Sequence, residues 1–365
     1  MSRLISVLRG IRGVLFCLLM FLSSALGSVF VLFPTLPLLY VNRRLFRWLG
    51  DHIIALWESY PVALLHILCR VDIRIFGDEI DPEKNSLIIM NHRTRLDWLF
   101  LWTALYPDAL PRHKIILKRD LKRAPGTGWS MQCAGFLFID RKWESDQELF
   151  HKAIEYVSHD NRKVNMLLFP EGTDFNPRSQ TRSDAFALTN ARPKLLHCIY
   201  PRVRGFTFLA ELMRKYNVLD EIYDITIVYP KEIIQSEPQM LLRGPPSAIY
   251  FLIKRHGAEE LPASTTDLES WLSDCWTNKE QELAEFYKSR QFPPKFLGRQ
   301  LFAIPLLWVS LIVWTALIVF WLWLLSTSLY ADIFFVIGSG VYCFFTYILG
   351  GVDRFELRRF LAEKH

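Results

Sequence analysis

Six cysteines, Cys17, Cys69, Cys133, Cys198, Cys275 and Cys343, are scattered along the chain, and no two stand in a C-x-x-C spacing. This excludes a disulfide framework and a structural zinc site, and reads as free thiols on a cytosol-facing protein. No resident metal or bound cofactor is expected. There is no internal repeat or low-complexity tract. The chain also lacks a nucleic-acid recognition module, which together with its apolar segments excludes nucleic acid as a partner. Charge is missing altogether from Leu301 to Ala331 and again from Ile333 to Val352, with only Asp332 between. Each run is long enough for a bilayer-crossing helix, which needs roughly 20 apolar residues, so the pair reads as a transmembrane hairpin over 301–352. Lys295 and Arg299 precede it, Arg354, Arg358 and Arg359 follow it, and the turn between carries no Lys or Arg. The positive-inside rule then puts both ends, and the segment upstream, in the cytosol.

The chain is 51% hydrophobic, with twelve Trp and twenty-seven Phe, yet 22% of its residues are charged. That balance fits a membrane-attached catalytic domain better than an ordinary soluble protein. The net charge of +6 is modest, and the cluster Lys114, Lys118, Arg119, Lys122 and Arg123 suits phosphates or anionic headgroups. Near the start, Val14 to Val41 is apolar but interrupted by Gly27, Pro34 and Pro37, with three Arg close to either end, so charge bias cannot orient it. A cleaved signal peptide is disfavoured because the apolar stretch continues well past the small residues Ser23 to Gly27. Leu45 to Leu68, with sparse charges among Trp48, Ile53, Ile54, Trp57 and Val62, reads as a helix lying in the membrane interface.

Between these anchors strand-like runs (Val71–Phe76, Leu87–Met90, Ile115–Leu117, Phe136–Ile139, Val164–Phe169, Ile225–Tyr229, Ala248–Ile253) alternate with helical ones (Leu96–Leu105, Ser145–Ser158, Thr207–Tyr216, Thr266–Tyr287). The expected fold is α/β: a mixed sheet flanked by helices, with an N-terminal membrane-embedded helix pair and the C-terminal hairpin. The corresponding parts are membrane-associated helices over 1–70, a catalytic domain over 71–290, a linker over 291–300, the hairpin, and a cytosolic tail over 353–365.

The chemistry is concentrated at Asn91 to Trp98, N-H-R-T-R-L-D-W, which follows the apolar run Leu87–Met90. Histidine titrates nearest neutrality, and a carboxylate on its far nitrogen fixes the tautomer and stabilises the imidazolium. His92 would be a base and Asp97 its orienter. Residues five apart in one helix are separated by roughly 140° around the axis, so the pair requires a strand-turn-helix setting, with Thr94 available as a cap. Nine His and eighteen Asp produce about 0.4 such pairs by chance. A second signal is therefore needed, and Pro170-Glu171-Gly172-Thr173, closing the run Leu167–Phe169, supplies it. Ligands of α/β sheets gather at the carboxyl ends of strands.

With these pieces in place the chain resembles the glycerophospholipid acyltransferase family. The matching segments occur in the family's order: N-H-R-T-R-L-D at Asn91 to Asp97, G-F-L-F-I-D-R-K-W at Gly135 to Trp143, F-P-E-G-T-D at Phe169 to Asp174, and I-V-Y-P at Ile227 to Pro230. P-G-T-G-W-S-M-Q at Pro125 to Gln132 and P-R-V-R-G-F at Pro201 to Phe206 resemble the lysocardiolipin and lysophosphatidylinositol branch. The resemblance implies transfer of a fatty acyl chain from acyl-CoA, as co-substrate, to a lysophospholipid hydroxyl. It also implies residence in the endoplasmic reticulum membrane as a multi-pass protein whose catalytic domain faces the cytosol. Alternatives are a coenzyme A-independent phospholipid transacylase, a thioesterase, and a non-catalytic lipid-binding protein.

Phosphate recognition is expected from Arg141, which can bind oxygens bidentately, and from the turn at Gly172 and Thr173. Glu171 would repel phosphate, and is expected to pair with an Arg or accept from a glycerol hydroxyl. Asp140 is expected to pair with Lys142 or Arg141. Asn91, Lys118 and Arg182 are secondary candidates, and Pro170 and Pro230 are expected to set shape.

Overall fold

All five residues of Ser86–Met90 are buried, as in a strand covered on both faces. The computed structural model describes the chain except residues 1, 295, 297, 302 and 365, so Lys295 and His365 lie outside the described residues. In chain order, helix α1 (Ser2–Gly27) passes through a π turn and a 3-10 turn into α2 (Leu38–Val41) and α3 (Arg43–Ala63). Strands β1 (Asp72–Gly77) and β2 (Ser86–Met90) lead to α4 (Asp97–Leu105), β3 (His113–Lys118), α5 (Thr127–Cys133) and β4 (Leu137–Ile139). Then come α6 (Trp143–His159), β5 (Asn165–Leu168), α7 (Pro177–Thr189), α8 (Val203–Lys215) and β6 (Glu221–Val228). The chain closes with α9 (Glu237–Arg243), β7 (Ala248–Gly257), α10 (Thr265–Ser289), β8 (Gly298–Gln300), α11 (Ile304–Thr327), α12 (Leu329–Tyr347) and α13 (Val352–Lys364).

The described residues form one eight-stranded mixed sheet in the order β4-β3-β5-β2-β6-β7-β1-β8. Strands β4, β3, β5, β2 and β6 run parallel; β7 is antiparallel to β6, β1 parallel to β7, and β8 antiparallel to β1. Alternation along the strands sorts side chains into two layers. Ile88, Met90, Ile225, Ile227, Ile249 and Phe251 join a core with α1, α3, α4, α11 and α12. Leu87, Ile89, Met166, Ile222 and Leu252 join a second core with α6, α8 and α10. Each such fully buried side chain contributes about 1.5–3 kcal/mol. The apolar helices thus lie against one face of the sheet, and the polar helices cover the other.

Three helical runs among the described residues are long and apolar enough to cross a membrane: Val7–Val41, Ile304–Thr327 and Leu329–Tyr347. Helices α1 and α3 pair antiparallel, the Trp57 indole donating to Ser23 Oγ at 3.0 Å. Helix α3 packs between α1 and α11 and against α4 and α5, leaving Trp48 and Leu56 on its outer stripe.

Two segments differ from the sequence reading. The expected linker over 291–300 contains β8, which adds an edge strand to β1. The expected tail over 353–365 is helix α13, packed back onto the domain through Phe360 and Leu357. Buried Arg47 of α3 pairs with Glu356, whose Oε1 also accepts from the Tyr156 hydroxyl at 2.5 Å, and Lys122 pairs with Asp353 at 2.7 Å. Burying these charges is tolerable only because each has its partner.

Candidate active site

Strands β5, β2 and β6 are adjacent, and their carboxyl ends lie at one edge. Register sets Ile89 beside Leu168 and Met90 beside Ile225, so the turn after β2, which carries His92, faces the turn after β5, which carries Glu171. Asn91 is buried and clamps the third strand. Its side-chain oxygen accepts from the Ile227 amide at 2.8 Å and its Nδ2 donates to the Ile227 carbonyl at 3.2 Å.

His92 Nδ1 lies 3.0 Å from Asp97 Oδ2. Because a carboxylate only accepts, Nδ1 carries the proton and Nε2 presents its lone pair. No described residue bonds Nε2, and the His92 side chain is 16% exposed whereas that of Asp97 is fully buried. The ring stacks on Phe169 at 4.1 Å between centroids, which fixes its plane. Asp97 is saturated: besides His92 it accepts from the Thr94 amide (2.8 Å), the Thr94 hydroxyl (2.8 Å) and the Tyr229 hydroxyl (2.5 Å). Thr94 was expected to cap α4. Instead its side chain anchors Asp97 and accepts from the Leu96 amide within the turn.

Gln235 stitches the two turns together, donating from Nε2 to the Arg93 carbonyl (3.1 Å) and the Phe175 carbonyl (2.9 Å). The Phe175 amide in turn donates to the His92 carbonyl at 2.7 Å. Glu171 has neither of its expected partners. It is 2% exposed, pairs with no Arg, and its Oε1 accepts from the His92 amide and the Trp276 indole, each at 3.3 Å. Burial pushes its carboxyl up to about 8 against those two donors, so near neutrality it is largely a neutral acid, with Oε2 unpartnered. The reason is position: Glu171 is turned to the Trp276 indole of α10 and the His92 amide, and among the described residues the arginines that line the neighbouring cavity make no ion pair with it.

Gly172 takes φ +70°, and a Cβ there would meet the Arg202 guanidinium at 3.1–3.4 Å, so glycine keeps this approach open. Arg141, itself at φ +58°, donates to the Gly172 carbonyl at 3.3 Å. Asp140 pairs with Arg119 at 2.8 Å, not with Lys142 or Arg141, leaving Arg141 beside the turn. Thr173 and Arg182 line a cavity next to Glu171. Lys118 ends β3 two strands from β2 and pairs with Asp120. Pro170 bonds through its carbonyl to the Arg202 amide at 2.8 Å, and Pro230 accepts from Arg290 at 3.0 Å.

Tyr229, Gln235 and Trp276 were missed by sequence reasoning. Only Tyr229 lay in a quoted motif, I-V-Y-P, and nothing local signalled its contact with Asp97. Among the described residues one trio, Asp224, His256 and Cys275, brings potential ligand atoms within 4.8 Å of one another. Lys279 already holds an ammonium 2.6 Å from Asp224 Oδ1, and burial pushes the Cys275 thiol far up, both of which oppose a metal there.

The acyltransferase family model matches residues 72–229, and an acyltransferase C-terminus model matches residues 240–317. The chain is 41% identical to lysocardiolipin acyltransferase 1 of Mus musculus over 281 residues, covering 77% of this chain and 75% of the relative. It is 40% identical to lysophosphatidylinositol acyltransferase 10 of Caenorhabditis elegans over 301 residues, covering 80% and 77%. The crystal structure of a 1-acyl-sn-glycerophosphate acyltransferase from Thermotoga maritima shares the fold, with a TM-score of 0.50 at 16% identity over 78% of this chain and all of that one. A pre-oriented imidazole at the strand ends and these relatives together establish that the chain belongs to the lysophospholipid and glycerolipid acyltransferase family and is an acyltransferase.

Proposed function

We propose that the enzyme transfers a fatty acyl chain from acyl-CoA to the free hydroxyl of a lysophospholipid (lysophosphatidylinositol, lysocardiolipin or lysophosphatidate), with His92 as general base and Asp97 as its orienter. The observation that carries this reading is His92 Nε2, which no described residue bonds and which is backed by a bond from Nδ1 to a saturated carboxylate. The acceptor hydroxyl gives its proton to Nε2 as its oxygen bonds to the thioester carbon. The tetrahedral intermediate then expels the CoA thiolate, which takes the proton back. A thiol of pKa about 8.5 leaves near neutrality without a strong acid, so one imidazole serves both halves of the reaction, and such assistance is worth about 10²–10⁴-fold.

Arg141, Gly172 and Thr173 are assigned to substrate phosphate, and Glu171 to holding the His92 backbone. The relatives' names support the first two acceptors. The enzyme is placed in the endoplasmic reticulum membrane with its α/β domain in the cytosol and α11 and α12 as a membrane-spanning hairpin. The return of α13 to the domain supports having both hairpin ends on one side. Purified protein given labelled acyl-CoA and a panel of lysolipids tests the reading: CoA release coupled to lysolipid acylation is expected. Acylation from phosphatidylcholine alone would assign a transacylase, and CoA release without acceptor a thioesterase.

A further inference from the structure

Beside the Glu171–Thr173 turn lies a cavity of about 490 Å³, enclosed by α7, the loop leading into α8, and the first turns of α10. Four arginines line it: Arg182, Arg192, Arg202 and Arg204. Among the described residues none of the four forms an ion pair or donates a side-chain hydrogen bond, although most arginines of this chain do. Glu269 is the one acid lining the cavity besides the largely neutral Glu171, so the cavity carries a surplus of about three positive charges.

Two aromatic rings complete the wall. Phe186 and Tyr200 stand 5.3 Å apart between centroids, with Phe186 44% exposed, and Arg192 sits 5.8 Å from the Tyr200 ring. Unpaired guanidinium groups recognise phosphates, and exposed ring faces recognise flat heterocycles. The volume lies within the range of small-molecule sites. The location separates two kinds of phosphate ligand. The cavity belongs to the α8 and α10 layer, on the opposite face of the sheet from the apolar helices α1, α11 and α12. A ligand reaching it comes from water, whereas a lysolipid anchored by its chain comes from the side of the apolar helices.

We infer that this cavity binds the nucleotide end of the acyl donor, a 3′-phosphorylated adenosine diphosphate: the phosphates meet Arg182, Arg192, Arg202 and Arg204, and the adenine lies on Phe186 and Tyr200. The assignment rests on the reading of acyl-CoA as donor. The cavity meets the catalytic turn at Thr173, so the phosphate that reaches Thr173 is the donor's, and at Glu171, which lines the cavity and also accepts from the His92 amide.

The test uses full-length enzyme and the variant R182Q/R192Q/R204Q. All three positions are exposed, so the fold should persist, and an unchanged unfolding midpoint checks this. Expected are a KM for acyl-CoA raised about tenfold or more, an unchanged KM for lysolipid, and loss of the wild-type preference for acyl-CoA over acyl-dephospho-CoA. Adenosine 3′,5′-bisphosphate should compete with acyl-CoA in the wild type and not in the variant. The assignment is overturned if the wild type uses acyl-CoA but the variant keeps its KM, or if the lysolipid KM rises instead, which would give the cavity to the acceptor headgroup. Failure of the donor reading looks different: the wild type then releases no CoA with any acceptor, and the assignment falls with it.

Discussion

Glu171→Gln should stabilise the protein, increasingly so as pH rises. The carboxyl is 2% exposed and its pKa is raised from 4.5 to about 8, chiefly by burial. Between those values the unfolded chain has released the proton and the folded protein retains it. The stability associated with the neutral acid is therefore complete below about 4.5 and is lost as pH rises toward about 8. At about 1.4 kcal/mol per pH unit this amounts to about 3 kcal/mol at pH 7 and about 5 kcal/mol above pH 8. Glutamine keeps an oxygen for the His92 amide and the Trp276 indole and has no proton to lose. Denaturant titrations in detergent from pH 5 to pH 9 should show the two proteins close together at pH 5 and the variant progressively more stable up to pH 8, with a constant gap beyond. Parallel curves across that range, or a variant less stable at pH 7, would refute the reasoning.

Tyr229→Phe removes the shortest bond to Asp97 and leaves the Thr94 pair, so kcat should fall by about tenfold with little change in KM, measured by steady-state acyl transfer. Gln235→Ala unties the Arg93 and Phe175 carbonyls, and should lower kcat by a similar factor while leaving the unfolding midpoint within about 1 kcal/mol of wild type. Glu356→Ala leaves Arg47, which is 1% exposed, with Asp51 at 3.3 Å as its remaining carboxylate and takes the acceptor from the Tyr156 hydroxyl, and should cost about 3 kcal/mol of stability in a denaturant titration, whereas exposed Glu148→Ala should cost less than about 1 kcal/mol.

The parts of the site legible in the sequence are those whose chemistry lies within one turn. His92 and Asp97 are five residues apart, and the apolar run before them fixed the strand-turn-helix setting that lets them meet. Strands β2 and β5 were visible for the same reason, being short apolar runs that end in polar turns. What sequence could not supply is the third dimension of the site. Tyr229, Gln235 and Trp276 reach the two turns from 60 or more residues away, and their contacts leave no periodic trace. Glu171 was misread because its neighbours in the chain suggest an exposed phosphate turn, while its surroundings are the α10 layer and Trp276. Helix α13 escaped notice because its apolar residues are interleaved with charges whose partners, Arg47 and Lys122, lie more than 220 residues earlier. Strand β6 begins four residues before the expected start, because Glu221 and Asp224 break its apolar pattern; they are accommodated by the Tyr223 hydroxyl and Arg255, and by Lys279 on α10, respectively.

The most direct test of the central claim is acyl transfer from acyl-CoA to lysophosphatidylinositol or lysocardiolipin by His92→Ala, purified alongside wild type and matched in unfolding midpoint. A free Nε2 acting as general base requires kcat to drop by at least about 10²-fold in the folded variant. Transfer at the wild-type rate by that variant would contradict it.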